Sequence, residues 1–224
     1  MNAQGKRSGE TAREYAYRMI REQVISLELK PGEAFNDMEF AAKIGVSRTP
    51  VREAVIQLSE ESRIIEIFPQ RGMRIAPIDV ELVEEARSLR VLLEKQIAGM
   101  CCEMATEEDI KWLQENVGLQ EFYMENSRPE MVMQLDDEMH HKLFMICHRE
   151  LTYGMCQKLA IHYDRIRSLS VNTVKDNTII EDHRKIIQFI AEHKKENAMA
   201  QMEKHLSRWQ LNEGKFRQEF PDYF

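Results

Sequence analysis

The fold is decided by one stretch of the 224-residue chain, AAKIGVSRTPVREA, residues 41–54. Two short amphipathic segments meet at Gly45, and glycine supplies the tight turn between them because it adopts left-handed backbone conformations without steric cost. Ser47 is a typical helix N-cap, and Pro50 is tolerated in the first turn of the helix that follows. Two short helices joined by such a turn predict a helix-turn-helix.

Three helices are predicted around this motif, after a polar tail, residues 1–10, that we expect to be flexible. Apolar residues recur every three or four positions within each of them. The predicted helices span residues 11–29, 37–44 and 48–61. Lys30-Pro31-Gly32 ends the first helix, and Asn36, followed three residues later by Glu39, caps the second.

A β-hairpin is predicted after the third helix. Residues 64–68 form a short β-rich run, and residues 73–76 can return as a second strand after the turn sequence Pro69-Gln70-Arg71-Gly72. An isolated two-stranded hairpin is only marginally stable in water, so this one must pack against the helices. We therefore expect a winged helix-turn-helix domain over residues 11–77.

The remaining residues, 78–224, show helical periodicity and no strand pattern. Six helices are predicted there, over residues 80–104, 107–125, 131–148, 151–171, 178–193 and 196–218. Thr106 and Asp109 resemble a capping box at the start of the second of them. We expect a mainly α protein, in which the winged domain is followed by an all-α helical bundle.

The net charge of -7 is unevenly distributed, because residues 1–77 carry 12 basic and 11 acidic side chains and nearly all of the excess acid lies beyond them. Local rather than total charge determines whether a surface binds phosphates, so the N-terminal domain remains compatible with a nucleic-acid partner. No apolar run approaches the roughly 20 residues that span a bilayer, and the polar N-terminus is not a signal peptide. We expect a cytoplasmic protein with no membrane partner, whose four cysteines are buried free thiols.

Arg48, Thr49 and Arg52 lie at or near the N-terminal turn of the third predicted helix. A helix N-terminus attracts phosphate, and arginine donates two parallel hydrogen bonds to guanine in the major groove. This placement therefore suits DNA recognition. From the spacing alone, a surface helix that carries two solvated arginines is an equally good interpretation.

The stretch 41–54, together with the wing sequence FPQRGM at residues 68–73, resembles the GntR family of bacterial regulators. The resemblance implies contacts with DNA bases or backbone in the major groove from the recognition helix, and an approach of the wing to the minor groove. The residues expected to bind DNA are Ser47, Arg48, Thr49, Arg52, Arg71 and Gly72. Two departures from the family pattern are Ser62-Arg63, where Gly-Leu is usual, and Met38, where some members have a phosphate-binding arginine.

Asp136 and His140 are four residues apart on a predicted helix, which places a carboxylate and an imidazole on one face. Such a pair is more often a surface hydrogen bond than a metal site. His183 and His205 lie on two later helices within apolar periodicity. Each is interpreted either as a satisfied core imidazole or as a ligand that joins the first pair on one cation.

These segments resemble the FCD domain, which defines the fatty-acid-regulator subgroup of GntR proteins. The resemblance implies one divalent metal ion bound by Asp136, His140, His183 and His205. Zinc is the expected metal, and nickel, manganese and iron remain open, because Asp and His ligands suit all of them. Arg90 matches a recurrent arginine of the subgroup and is expected either to bind an effector carboxylate or to form an ion pair with Glu94.

The resemblance implies a homodimeric, ligand-responsive transcriptional regulator, which we expect to be a repressor of a metabolic operon. It would bind double-stranded operator DNA with an inverted repeat and sense a small carboxylate effector through a metal-containing pocket in residues 78–224. We do not expect an enzyme. The alternative is a metal-dependent hydrolase that uses the Asp/His site to activate water. That alternative leaves the N-terminal domain without a role.

Overall fold

The computed structural model describes residues 5–173 and 178–224. The chain divides into two compact units, Met1–Val80 with Phe220–Phe224, and Glu81–Glu219. The last five residues therefore group with the N-terminal unit rather than with the helical domain predicted over residues 78–224. A backbone hydrogen bond of 2.6 Å from the Ile78 nitrogen to the Tyr223 oxygen ties them there.

Three helices form the N-terminal unit with a small sheet: α1 (Ala12–Ile25), α2 (Asp37–Ile44) and α3 (Arg48–Ser62). Helix α1 begins at a capping box between Thr11 and Glu14. It ends four residues before the predicted end at residue 29, because Leu27 takes a left-handed conformation with φ 63°. The preceding tail is described from Gly5 onward, and Glu10 at its end forms an ion pair of 2.8 Å with Arg18 of α1.

The predicted helix-turn-helix is present. Asn36 caps α2 by accepting hydrogen bonds from the backbone nitrogens of Met38 and Glu39, and Gly45 ends it with φ 73°. Helix α3 starts directly after Ser47 and turns its apolar face inward. Its fully buried apolar side chains are Val51, Ala54, Val55 and Leu58. The turn at Gly45 thus sets the direction of α3, and the face of α3 opposite its apolar side stays exposed.

The sheet has three strands, β1 (Ala34–Phe35), β2 (Ile65–Phe68) and β3 (Gly72–Ile75), in the order β1-β3-β2. Both pairings are antiparallel, and Phe68 lies opposite Gly72 at the tip of the β2–β3 hairpin. The hairpin predicted from the sequence is confirmed. Strand β1 was not predicted, because two residues are too few to show an alternating pattern.

Seven helices form the second unit within residues 80–173 and 178–219, one more than the sequence predicted. They are α4 (Val80–Met104), α5 (Glu107–Glu125), α6 (Pro129–Ile146), α7 (Glu150–Thr173), α8 (Thr178–Ala191), α9 (Lys195–Leu206) and α10 (Trp209–Glu219). The single helix predicted over residues 196–218 is wrong, because the chain breaks between α9 and α10. At the break, the Ser207 hydroxyl donates to the Glu203 carbonyl, and the Arg208 side chain turns to Asp182.

The second unit packs around one apolar core contributed by α4, α5, α6, α8 and α9. Thr106 begins α5 with the predicted capping box to Asp109. All four cysteines are free, and three of them are buried in agreement with the prediction, whereas Cys156 is half-buried. Within the described part of the chain, no helix combines the length and apolar character that crossing a membrane requires.

Candidate metal centre and nucleic-acid interface

The six residues expected to bind DNA are all exposed on the N-terminal unit. Arg48 and Thr49 form the first turn of α3 after Ser47, and Arg52 follows one turn later. The wing residues Arg71 and Gly72 lie at the hairpin turn, where Gly72 has φ 101°. The arrangement exposes a helix N-terminus and two arginines, while the contacts with DNA themselves stay a prediction.

The four expected metal ligands come together in the second unit, from three different helices. Asp136 and His140 lie on α6, His183 on α8 and His205 on α9. One donor atom from each lies within 4.8 Å of the other three. Among the described residues they are the group of histidine, cysteine and acidic side chains that could hold a metal ion. Their role as ligands is taken up below as a proposal.

Two neighbouring side chains fix which nitrogen of each imidazole faces the centre of this cluster. The amide oxygen of Gln120, on α5, lies 2.9 Å from Nδ1 of His183 and accepts its proton, since the Gln120 nitrogen donates to Asn116. Oε2 of Glu94, on α4, lies 2.5 Å from Nδ1 of His140. The His183 ring therefore carries a proton on Nδ1 and presents a bare Nε2 lone pair to the cluster, whereas both ring nitrogens of His140 are buried without a hydrogen bond among the described residues.

The Nε2 atoms of the cluster lie close to the Asp136 carboxylate or to one another. Nε2 of His183 lies 3.2 Å from Oδ1 of Asp136 and 3.3 Å from Nε2 of His205, and Nε2 of His140 lies 3.9 Å from the same Asp136 oxygen. Ligand atoms about 2.0–2.1 Å from a tetrahedral zinc ion lie about 3.3 Å from one another. Nδ1 of His205 is also buried with no hydrogen bond in the described structure. These residues fit a divalent cation, which would satisfy lone pairs that otherwise oppose each other.

The electrostatics of the cluster keep Asp136, His183 and His205 in the ligand form. Burial lowers the pKa of His183 and holds that of His205 well below its usual value, so both imidazoles stay neutral. Burial alone would raise the pKa of Asp136, but the charge of Arg167 holds it well below the ordinary range. The site thus offers the Asp136 carboxylate and neutral imidazoles at His183 and His205, the protonation states that metal binding requires.

A cavity of about 50 Å³ adjoins the cluster on the side of Asp136 and His205. Three arginines line it, and each is already paired with acidic side chains. Arg90 contacts Glu94 at 2.6 Å, and Arg208 contacts Asp182 at 2.8 Å. The third, Arg167 on α7, contacts Asp136, Asp137 at 2.8 Å and Asp164 at 2.6 Å.

For Arg90, the ion pair with Glu94 that the sequence left open is therefore present, and both side chains are buried. The guanidinium also lies over the Tyr163 ring, 5.3 Å from its centre. Gln120 and Arg167 were missed by the sequence analysis. The sequence carried one usable signal for Arg167, which is its position three residues after Asp164 on the same predicted helix.

A winged helix-turn-helix with an exposed recognition helix, followed by a helical domain that contains a cavity, defines the chain as a DNA-binding transcriptional regulator. The chain belongs to the GntR family of bacterial regulatory proteins, whose family model matches residues 12–75. Residues 85–208 match the model of the FCD domain. Both resemblances recognised in the sequence are confirmed.

Relatives of similar length are also transcriptional regulators by name. The HTH-type transcriptional repressor RspR of Escherichia coli is 28% identical over 209 residues, which covers 93% of this chain and 91% of that protein. The Nta operon transcriptional regulator of Aminobacter aminovorans is 26% identical over 185 residues, 82% of this chain and 86% of that protein. These relatives give the hydrolase alternative no support.

Solved structures show the same fold. Escherichia coli McbR/YncC superposes with a TM-score of 0.78 at 17% identity, covering 94% of this chain and 99% of that chain. A putative GntR transcriptional regulator from Rhodococcus sp. RHA1 gives a TM-score of 0.71 at 16% identity, covering 88% of this chain and 94% of that one. The mainly α architecture with an N-terminal winged domain is therefore confirmed.

Proposed function

We propose that this regulator senses a small organic acid through a divalent metal ion held by Asp136, His140, His183 and His205. Zinc is the favoured ion, since one carboxylate and three imidazoles, with donor atoms within 4.8 Å of one another, suit its tetrahedral preference. When bound, the ion would supply two positive charges among buried donor atoms, and expansion from four to five ligands would let it accept an anion. The protein acts as a regulator rather than as a catalyst, in the bacterial cytoplasm where its operator lies.

One observation carries the metal assignment: Nε2 of His183 faces a carboxylate oxygen at 3.2 Å although Gln120 already accepts the proton of the same ring. Two acceptors at this separation repel each other, and burial opposes a second proton on the ring. A cation between them removes the repulsion. A satisfied core histidine, the simpler interpretation of His183, would instead pair its second nitrogen with a donor.

The effector assignment follows from the cavity beside the cluster. Asp136 and His205 line both the metal site and this cavity, so a small ligand in it lies next to the ion. Since Arg90, Arg167 and Arg208 are paired with acidic side chains, the ion rather than a free arginine is the main attraction for a carboxylate. Arg90 contributes as a second contact on the cavity wall.

At the operator, Ser47, Arg48, Thr49 and Arg52 bind the major groove, and Arg71 and Gly72 approach the minor groove. We propose a homodimer on an inverted repeat, because two-fold symmetry doubles the modest contact that one recognition helix makes. Repression then responds to the effector if metal and acid bind the DNA-competent arrangement of the dimer and its alternative unequally.

The metal assignment is tested with the double variant His183→Ala/His205→Ala, measured by elemental analysis and by the zinc-induced shift in melting temperature. We expect loss of bound metal and of the shift. The matched control is His148→Asn/His193→Asn, since both of these histidines have a positive φ that asparagine tolerates and neither lies in the cluster. Full metal content in the first variant would show that the histidines are ordinary core residues.

The operator assignment is tested by gel retardation with the region upstream of the gene. Arg52→Ala should abolish specific retardation, since one bidentate contact contributes about 1–3 kcal/mol of discrimination. Arg13 is an exposed arginine on α1, away from the recognition helix. Arg13→Ala removes the same charge and should leave specific retardation intact. Light scattering tests the dimer, and a monomer with full DNA affinity would refute it.

A further inference from the structure

Arg48, the first residue of the recognition helix, is held by a carboxylate from the preceding helix. Nε of Arg48 lies 3.0 Å from both Oδ1 and Oδ2 of Asp37. Only 4% of the Asp37 side chain is exposed, whereas 55% of the Arg48 side chain is. The acid is therefore built into the unit, and the arginine extends from it toward solvent.

The contact uses only one of the five guanidinium N–H groups of Arg48. Its two terminal nitrogens make no hydrogen bond within the described residues. A guanidinium reads guanine with two parallel N–H groups, either from its terminal edge or from the edge that includes Nε. With Nε occupied by Asp37, the terminal edge is the one that stays available.

The contact also fixes a long side chain that would otherwise be mobile. An exposed arginine loses about 2 kcal/mol of rotamer freedom when a partner orders it. The contact with Asp37 has already ordered the Arg48 side chain as far as Nε. The buried acid also lies in the first turn of α2, where Asn36 caps the helix independently of it. Removal of the Asp37 charge thus leaves the cap of α2 in place.

We propose that Asp37 is a positioning residue for operator recognition: it holds Arg48 by Nε so that the terminal edge of the guanidinium reads a guanine. The inference rests on the proposed role of Arg48 at the operator. It makes Asp37 a determinant of sequence specificity rather than of affinity, because a carboxylate on its own repels the DNA phosphates.

The experiment uses the full-length protein and two fluorescent duplexes, one selected from a random library by the wild-type protein and one scrambled. The measured quantity is the ratio of the two affinities at a fixed salt concentration. Arg48→Ala should lower this ratio about ten-fold, as loss of one bidentate contact implies. Asp37→Asn should lower it by a similar factor, while binding to the scrambled duplex stays equal or becomes tighter.

Glu39→Gln is the matched control, because Glu39 lies in the same first turn of α2 but bonds to Asn36 instead of Arg48. It should leave the ratio unchanged. Asp37→Asn added to Arg48→Ala should cause no further loss. Circular dichroism and melting curves establish that each variant is folded.

An unchanged ratio in Arg48→Ala would refute the proposed role of Arg48 itself. If Arg48→Ala loses specificity but Asp37→Asn behaves like Glu39→Gln, the positioning role of Asp37 is overturned. A further loss in the double variant also overturns it, since Asp37 would then act through another group. Should Asp37→Asn not fold, Arg48→Lys decides: a single ammonium lacks the fork, so full specificity in that variant contradicts the proposal.

Discussion

Nδ1 of His140 lies 2.5 Å from Oε2 of Glu94, and Nε2 on the other side of the same ring faces the Asp136 carboxylate. Burial would raise the pKa of Glu94, but the charge of Arg90 holds it below its usual range, so the carboxylate is ionised. An ionised carboxylate behind an imidazole fixes its orientation and raises the basicity of the opposite nitrogen. Glu94 is therefore an outer-shell partner of the candidate metal ion.

Glu94→Gln should weaken zinc binding about 10- to 100-fold, the usual cost of losing such an outer-shell partner. The amide still accepts the Nδ1 proton but carries no charge, so Nε2 becomes a poorer ligand. The measurement is a competition titration with a chromophoric chelator. Glu103→Gln is the control, since it removes an exposed acid from the same helix, paired with Lys195 at 2.8 Å. Wild-type zinc affinity in Glu94→Gln would contradict the proposal that Glu94 raises the basicity of Nε2 of His140.

Asp109 makes the second unit sensitive to acid at the start of α5. Burial would raise the pKa of Asp109, but Lys142 at 2.6 Å and the hydrogen bonds with Thr106 lower it to about 2. Since the unfolded value is higher, the stabilisation is complete above about pH 4 and is lost as the pH falls toward 2. Asp109→Asn should cost about 1 kcal/mol at neutral pH, the usual worth of a cap, and progressively less in acid.

Urea unfolding of wild type and Asp109→Asn at about pH 6 and about pH 2.5 checks this sign. Glu107→Gln serves as the control, because Glu107 lies in the same turn of α5 and is exposed. Its effect should be small at both pH values. A stability difference for Asp109→Asn that grows in acid would mean that the contacts with Thr106 and Lys142 do not govern the titration of Asp109.

Arg63 ends α3 in a left-handed conformation, with φ 54°, and is exposed. A residue with a Cβ loses about 1–2 kcal/mol there, and part of that is offset by the greater unfolded-state freedom of glycine. Arg63→Gly should therefore raise the free energy of unfolding by about 0.5–1 kcal/mol. Gly45→Ala is the control. Gly45 has φ 73° and open space around an added Cβ, so this substitution should destabilise the N-terminal unit through backbone strain alone. A destabilised Arg63→Gly would reveal a contribution from the arginine side chain.

The elements that could be predicted from the sequence are those whose signals are local. Asn36 and Gly45 each fix a helix boundary through their own chemistry, and these boundaries are correct; Ser47 lies at the predicted N-cap of α3, but its side chain makes no capping hydrogen bond. The errors lie where no local signal exists. Leu27 ends α1 in a conformation that favours glycine, and the break after α9 at Ser207 contains neither glycine nor proline.

The candidate site divides in the same way. Asp136 and His140 could be paired from a four-residue spacing, and the resemblance added His183 and His205. Gln120 had no signal, because a single polar residue on an amphipathic helix is ordinarily solvent-exposed, and only the fold shows that this one is buried against His183. Arg48 was predicted from its place on the helix, whereas its tie to Asp37 depends on how α2 packs against α3.

Arg167 joins three acidic side chains, Asp136, Asp137 and Asp164, to one guanidinium. Burial opposes its charge, yet these carboxylates raise the pKa of Arg167 well above its usual value, so the cation is retained. Arg167 contacts Oδ2 of Asp136, while Oδ1 of the same carboxylate faces the histidines. The guanidinium and a metal ion can therefore bind Asp136 at the same time, one on each oxygen.

Arg167→Met should destabilise the metal-free protein by about 3–5 kcal/mol, because removal of one partner leaves buried carboxylates without a cation. Added zinc should recover part of this loss, since the ion brings positive charge to the same carboxylate, so the zinc-induced rise in melting temperature should be larger in Arg167→Met than in wild type. Arg208→Met is the matched control: it removes a cavity arginine that contacts Asp182, outside the cluster, and its zinc shift should equal that of wild type. Equal zinc shifts in Arg167→Met and wild type would show that arginine and metal do not act on a common carboxylate, and the placement of the ion beside Asp136 would have to be abandoned.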